Sequence, residues 1–197
     1  MLEGPEIEAH RHHTGHSRLD IIFGALAVVI SCVSVFIAIE HGRTMERLVA
    51  ANTWPNISYG NSNESADGKG DVISFELTNT GVGPARIETI ELFYKDKPMA
   101  NWSDLLAAAA GHGSYNYDSS PLRGEVMPAR DEIHGMILHK DKNRPGVWEA
   151  LNVERRKVRM RVCYCSVFDE CWVMDTAARR PERTGECVLS QGVEFNE

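Results

Sequence analysis

The longest hydrophobic stretch of the chain covers residues 21–39 and contains no charged side chain. A helix of this length rises about 28 Å, close to the thickness of a bilayer's hydrocarbon core. Asp20 precedes the stretch and Glu40 follows it. The pattern predicts a transmembrane helix over residues 19–39. A buried helix of a soluble protein usually carries a polar stripe, and a cleaved signal peptide usually has a shorter apolar core.

Small side chains recur along one face of this predicted helix at alternating spacings of three and four residues. They form what we call the helix seam: Gly24, Ala27, Ser31, Ser34 and Ala38. Small residues let transmembrane backbones approach closely, so the seam predicts association with a second copy or with another membrane protein. The alternative is chance, because small residues are frequent in membrane helices. The same register continues through His41, Met45 and Leu48.

The segments on either side of the span differ in character. Residues 1–18 are polar and predict a disordered cytoplasmic tail, which contains His10, His12, His13 and His16. A metal held by His12 and His16 is a minor alternative to a solvated leader. Residues 40–53 predict a helical stalk beside the membrane, which ends at Trp54-Pro55 because a residue before proline avoids the helical region.

Strand patterns dominate residues 54–197. Residues 72–79 alternate, with Ile73, Phe75 and Leu77 on one side, and residues 85–94 predict a second strand whose alternation slips once, which indicates a bulge. A polar loop is expected over residues 61–71. The remaining predicted strands are 133–138, 158–168, 171–175 and 187–195, and short helices are predicted over 103–110 and 146–153. The fold class is therefore mainly β: an antiparallel immunoglobulin-like sandwich after one transmembrane helix.

The longest predicted strand has a basic side. Lys157, Arg159 and Arg161 lie on the same side as Cys163 and Cys165, while the alternate residues are apolar. This basic row either meets an anionic partner or pairs with acids on the next strand. From residue 40 onward the chain has 19 Lys and Arg against 24 Asp and Glu, a net charge of −5. The acidic balance argues against nucleic-acid binding.

Four of the five cysteines lie close together near the C-terminus: Cys163, Cys165, Cys171 and Cys187. An even cluster of this kind in a small domain outside the cytoplasm indicates two disulfides. The favoured pairing joins Cys165 to Cys171 across a tight turn and Cys163 to Cys187. A zinc site and free thiols remain alternatives, although zinc sites usually have pairs of cysteines two residues apart. Basic residues flank the span almost equally, so they do not predict its orientation. The cysteine cluster does, and it favours a large domain outside the cytoplasm.

One combination of motifs resembles a known group of proteins. It consists of the single N-terminal span, the W-P pair at Trp54, the turn N-T-G-V-G-P-A at 79–85 and C-Y-C-S-V-F-D-E-C-W at 163–172. The chain resembles uncharacterised bacterial single-pass inner-membrane proteins with an immunoglobulin-like periplasmic domain. The resemblance implies a location and a fold, and it implies no catalytic residues.

No motif for a phosphate loop, a serine nucleophile or a helical zinc-protease site is present in the sequence. His134 and His139 have no carboxylate or cysteine at a spacing that suggests a site. We therefore expect a membrane-anchored, non-enzymatic interaction or accessory protein without a cofactor. Its partners would be the lipid bilayer and a protein partner or second copy. The alternatives are a metal- or redox-sensing module that uses the cysteine cluster, and an enzyme with an unrecognised site.

Overall fold

A computed structural model describes residues 18–64 and 71–197. The predicted tail therefore lies outside the described residues, apart from Arg18. The chain divides into two compact units, Met1–Leu48 and Val49–Glu197. Helix α1 (Arg18–Asn52) is continuous and buries none of its residues within the chain. All of residues 19–39 and residues 40–52 of the predicted stalk are therefore helical. Among the described residues, α1 is the one helix long and apolar enough to cross a membrane.

The second unit is mainly β, as predicted. Its described residues contain two antiparallel sheets and two further α-helices, α2 (Trp102–Ala110) and α3 (Val147–Glu154), the latter followed by a 3-10 turn, Arg155–Lys157. The strands are β1 (Ile57–Ser62), β2 (Val72–Asn79), β3 (Ala85–Tyr94), β4 (Lys97–Met99), β5 (Tyr117–Ser119), β6 (Val126–Met127), β7 (Glu132–His139), β8 (Val158–Cys165), β9 (Cys171–Asp175) and β10 (Glu182–Thr184).

The smaller sheet has the strand order β1-β2-β7-β5. Strand β2 has the bounds that its alternation predicts, and its apolar residues Ile73, Phe75 and Leu77 are fully buried. The pairing of β2 with β7 shifts register between Phe75 and Glu76, where Gly135 of β7 is the additional residue. Beyond this irregularity Glu76 lies directly opposite His134.

The larger sheet has the order β10-β9-β8-β3-β4, and β6 also pairs with β3. Strand β3 has its predicted bounds, and its pairing with β8 shifts between Ile87 and Thr89, which confirms the bulge that the alternation indicates. Strands β8 and β9 pair as a hairpin in which Cys165 lies opposite Cys171. Residues from both sheets contribute to one hydrophobic cluster.

Aromatic side chains fill the part of the core beside α2. Phe75 stacks on Trp102 with ring centroids 5.3 Å apart, and Phe195 meets the same indole edge-on at 4.8 Å. All three side chains are buried. The end of the chain is therefore part of the core, although no strand forms there.

Four expectations about elements were wrong. The last strand is not 187–195 but β10, which ends at Thr184. Strand β8 ends at Cys165, so residues 166–168 belong to the hairpin turn. Part of the expected loop over residues 61–71 is strand, because β1 continues to Ser62 opposite β2. Helix α2 begins at Trp102, one residue early, because the Asn101 side chain accepts a hydrogen bond from the Asp104 amide.

Candidate functional site

The helix seam residues lie along one side of α1, as their helical spacing requires. Its two hydroxyls are satisfied within the helix: Ser31 Oγ donates to the Ala27 carbonyl at 2.8 Å, and Ser34 Oγ donates to the Ile30 carbonyl at 2.8 Å. A membrane helix can therefore pack against this surface without supplying a hydrogen-bond partner. Association through the seam would therefore rest on close packing of the two backbones, without hydrogen bonds between the helices.

The stalk continues the seam's seven-residue repeat. His41, Met45 and Leu48 occupy its inner positions, and Met45 and Leu48 are 52% and 54% exposed within the chain. The charged residues of the stalk all lie at outer positions of the same repeat: Glu40, Arg43, Glu46 and Arg47. This separation of apolar and charged faces is typical of a helix that packs against another helix in water.

The cysteines of the β domain form two disulfides, Cys163–Cys187 and Cys165–Cys171, which is the pairing that the sequence favours. Their partners are separated by 24 and 6 residues along the chain. On chain-entropy grounds alone, such loops stabilise a fold by about 3.4 and about 2.2 kcal/mol. Cys32, in α1, is free.

The two cysteines of β8 are covered, although they point away from the apolar side of the strand. Cys163 and Cys165 are only 1% and 3% exposed. Residues 185–191, which we call the C-terminal strap, lie beside them, because Cys187 is bonded to Cys163 and its sulfur lies within 4.8 Å of the Cys165 sulfur. The expectation of an outward face that joins the cysteines to an open basic row was therefore wrong. Alternation along one strand does not reveal what a distant segment covers.

One buried carboxylate holds the strap on the sheet. Glu91 of β3 is 1% exposed, and its Oε1 accepts hydrogen bonds from the Ser190 amide at 2.8 Å, the Ser190 hydroxyl at 2.7 Å and the Gln191 amide at 3.1 Å. Its Oε2 pairs with Arg161, which also donates to the Val188 carbonyl at 3.0 Å. Burial raises the pKa of Glu91, whereas the hydrogen bonds from Ser190, Arg161 and Gln191 lower it. The hydrogen bonds together have the larger effect, so the pKa lies below its usual value.

The basic row consists of Lys157, just before β8, and of Arg159 and Arg161 within it. Its side chains pair with acidic side chains of the same domain, which is one of the two possibilities that the sequence left open. Arg159 binds Asp175 of β9 through two hydrogen bonds of 2.8 and 2.5 Å, and lowers the pKa of that carboxyl. Lys157 Nζ lies 2.7 Å from Glu154. Arg161 is held by Glu91, so each cation of the row has a carboxylate partner.

Two histidines have carboxylate neighbours, contrary to the expectation for His134 and His139. His134 Nδ1 lies 3.5 Å from Glu76, and its Nε2 lies 3.3 Å from Glu132. His139 Nε2 lies 3.4 Å from Asp118. Sequence reasoning missed these contacts because they depend on strand pairing. The one signal available was that Glu132 and His134 lie two residues apart, on the same side of a strand.

Two open concavities lie beside β1. One, of about 380 Å³, is lined by β1 and residues 174–181, and the other, of about 410 Å³, includes Trp54, Val82 and Pro181. Neither lining contains a histidine or a cysteine, and Asp175 in the first is already bound by Arg159. These concavities therefore add no pair of nucleophile and base to the candidate residues.

No protein-family model matches the chain, and no curated protein matches it.

Proposed function

We propose that this chain is a membrane-anchored, non-enzymatic interaction protein of the bacterial inner membrane. In this proposal α1 crosses the membrane with its N-terminus in the cytoplasm, and the β domain lies in the periplasm. The observation that carries the proposal is the pair of disulfides in the domain that follows an apolar helix with no buried residue. Structural disulfides persist in oxidising compartments and are rare in the cytosol.

The domain fits an immunoglobulin-like sandwich, and we include this fold in the proposal. Its two sheets are antiparallel, and residues of both contribute to one hydrophobic cluster. Sandwich domains of this kind present loops and strand edges to partners and commonly serve as binding modules. The resemblance to periplasmic immunoglobulin-like proteins points the same way.

A second copy of the chain is the partner we propose for α1. Within the membrane the seam permits close packing. Beyond it the same repeat presents Met45 and Leu48, which the residues that the structure describes leave 52% and 54% exposed. An exposed apolar stripe on a helix in water is covered favourably by an identical stripe, because a parallel pair places equal repeat positions opposite each other. One continuous interface would then include the seam and the stalk.

A thiol count on the full chain tests the location. The native protein is extracted in the presence of an alkylating reagent, denatured, and weighed with and without prior reduction. We expect one accessible thiol, from Cys32, before reduction and four more after it, because the domain's cysteines are paired. Five thiols before reduction would contradict a periplasmic domain.

A membrane two-hybrid assay tests the proposed association. Gly24→Leu combined with Ser31→Leu places two large side chains in the seam. The matched control, Ala25→Leu with Cys32→Leu, places the same two leucine side chains about 100° further around the helix. We expect the seam variant to fall to the signal of a non-interacting protein and the control to keep the parent signal. Equal signals from both variants would rule out a homodimer through the seam.

One observation favours a second candidate function. The sulfur atoms of Cys165, Cys171 and Cys187 lie within 4.8 Å of one another, a donor set that would suit zinc if the bridges were reduced. This metal- or redox-sensing alternative predicts the opposite thiol count. Bound zinc in the native extract together with five alkylated thiols would support it over structural bridges.

A further inference from the structure

The exposed side of the smaller sheet carries three metal-ligating side chains at one place. Glu76 stands on β2, and Glu132 and His134 stand on the neighbouring strand β7. One donor atom from each lies within 4.8 Å of the others. Strand pairing fixes their main-chain positions: Glu76 pairs with Gly60 on one side and with His134 on the other, and Glu132 pairs with Thr78 of β2. We call these residues the β2–β7 cluster.

The backbone next to the cluster leaves room for a carboxylate. Gly60 of β1 lies opposite Glu76, and a Cβ atom at Gly60 would stand 2.6 Å from Glu76 Oε1. The Glu76 side chain therefore occupies the space above Gly60. The Ser74 hydroxyl donates to Glu76 Oε2 at 3.3 Å, which fixes the carboxylate further.

The charge of the cluster is not balanced by lysine or arginine. Within residues 18–64 and 71–197, the ion pairs of Glu76 and Glu132 are with His134 alone. Adjacent carboxylates on one face of a sheet repel each other. Two more deeply buried carboxylates of the domain do pair with arginine or lysine: Glu91 with Arg161, and Glu154 with Lys157. The β2–β7 cluster thus combines two carboxylates with an imidazole, and it lacks such a cation.

We propose that Glu76, Glu132 and His134 form a binding site for a divalent transition-metal ion such as zinc. One imidazole nitrogen and two carboxylate oxygens are a donor set that zinc accepts, and three protein ligands leave a coordination position open for water or for a ligand atom of a partner. The ion would neutralise the two carboxylates. The proposal is independent of the disulfides and of the helix seam.

Zinc binding to the full chain in detergent tests this site. The four tail histidines are first replaced, as His10→Ala, His12→Ala, His13→Ala and His16→Ala, so that the tail adds no imidazole ligand. Non-reducing conditions keep the four cysteines of the domain in disulfides, so that they offer no thiolate to zinc. Equilibrium dialysis against buffered Zn²⁺ is then followed by measurement of zinc per chain. Two variants of this parent remove ligands, His134→Ala and Glu76→Gln. The matched control is His139→Ala, which removes a histidine that contacts one carboxylate instead of two.

We expect the parent and His139→Ala to bind one Zn²⁺ per chain, and His134→Ala and Glu76→Gln to bind at least tenfold more weakly. The ligand residues are partly exposed, so equal thermal unfolding of all variants without zinc shows that the fold is intact. If the parent binds no zinc, or if His134→Ala and His139→Ala retain it equally, the site does not exist. Either failure leaves the thiol count and the association assay unaffected, so the two proposals stand or fall separately.

Discussion

Replacing Glu91 by glutamine should destabilise the β domain by about 3 kcal/mol, because this carboxylate is buried and both of its oxygens accept hydrogen bonds. Arg161 donates to Oε2, and neutral groups of Ser190 and Gln191 donate to Oε1. Glutamine presents an NH₂ group where one of those donors now points. Removal of one partner of a buried ion pair costs about 3–5 kcal/mol. We take the lower end, since Arg161 keeps the Val188 carbonyl as an acceptor and its side chain is 17% exposed.

Glu88→Gln is the matched control on the same strand. Glu88 also pairs with an arginine, Arg86, but the two side chains are 34% and 45% exposed. A surface pair of this kind contributes about 0–1 kcal/mol. The assay is thermal unfolding of the full chain in detergent with the disulfides intact, followed by near-ultraviolet circular dichroism. A domain of this size shifts its Tm by about 2–4 °C per kcal/mol, so we expect a loss of about 6–12 °C for Glu91→Gln and less than about 4 °C for the control.

The pH dependence of the same comparison checks the electrostatic reasoning. The pKa of Glu91 is lower in the folded protein than in the unfolded chain, so its ionised form stabilises the fold above the unfolded pKa. That contribution is lost as the pH falls through the folded pKa. The difference between parent and Glu91→Gln should therefore be complete at neutral pH and shrink below about pH 4. Equal Tm losses for the two variants, or a difference that stays constant into acid, would refute the reasoning.

Two further substitutions test packing in the same unfolding assay. Phe195→Ala removes a fully buried ring and should lower the free energy of unfolding by about 3–5 kcal/mol. The control Val188→Ala, at a side chain 55% exposed, should change it by no more than about 0.5 kcal/mol. Similar losses of stability in the two variants would place Phe195 outside the core. Gly83→Ala should destabilise by about 1–3 kcal/mol, because its Cβ would overlap the main chain of Thr53, whereas Gly185→Ala meets open space; a neutral Gly83→Ala would show that this loop can move apart.

Local patterns were sufficient where burial follows the period of the element. Strands β2 and β3 have the predicted bounds because their apolar positions alternate over eight and ten residues, and the slip in β3 marks a real bulge. The helix over the apolar run was equally clear, because nineteen consecutive uncharged residues leave no polar stripe to face water. Short strands such as β6, of two residues, were missed because so few positions define no period.

Features that depend on contacts between distant residues were not predictable from these patterns. Residues 187–195 have the composition of a strand, but the Cys187 disulfide and the hydrogen bonds to Glu91 hold their first part as a strap without a ladder partner. The β2–β7 cluster was missed for the same reason. Glu76 and His134 are 58 positions apart in the chain, and only the register of the two strands, with its shift at Gly135, places them side by side.

The strap also bears on whether the disulfides are structural or redox-active. Thiol–disulfide exchange needs a thiolate to reach a sulfur atom. Burial closes that approach at Cys163, which is 1% exposed, but its partner Cys187 is partly exposed. The strap is held at several points: Cys187 itself is the bridge, Ser190 and Gln191 are bound by Glu91, and beyond them Phe195 is inserted in the core. These anchors beyond Cys187 hold it beside Cys163 independently of the sulfur–sulfur bond, and this arrangement favours a structural crosslink over a sensor that opens and closes its bridge.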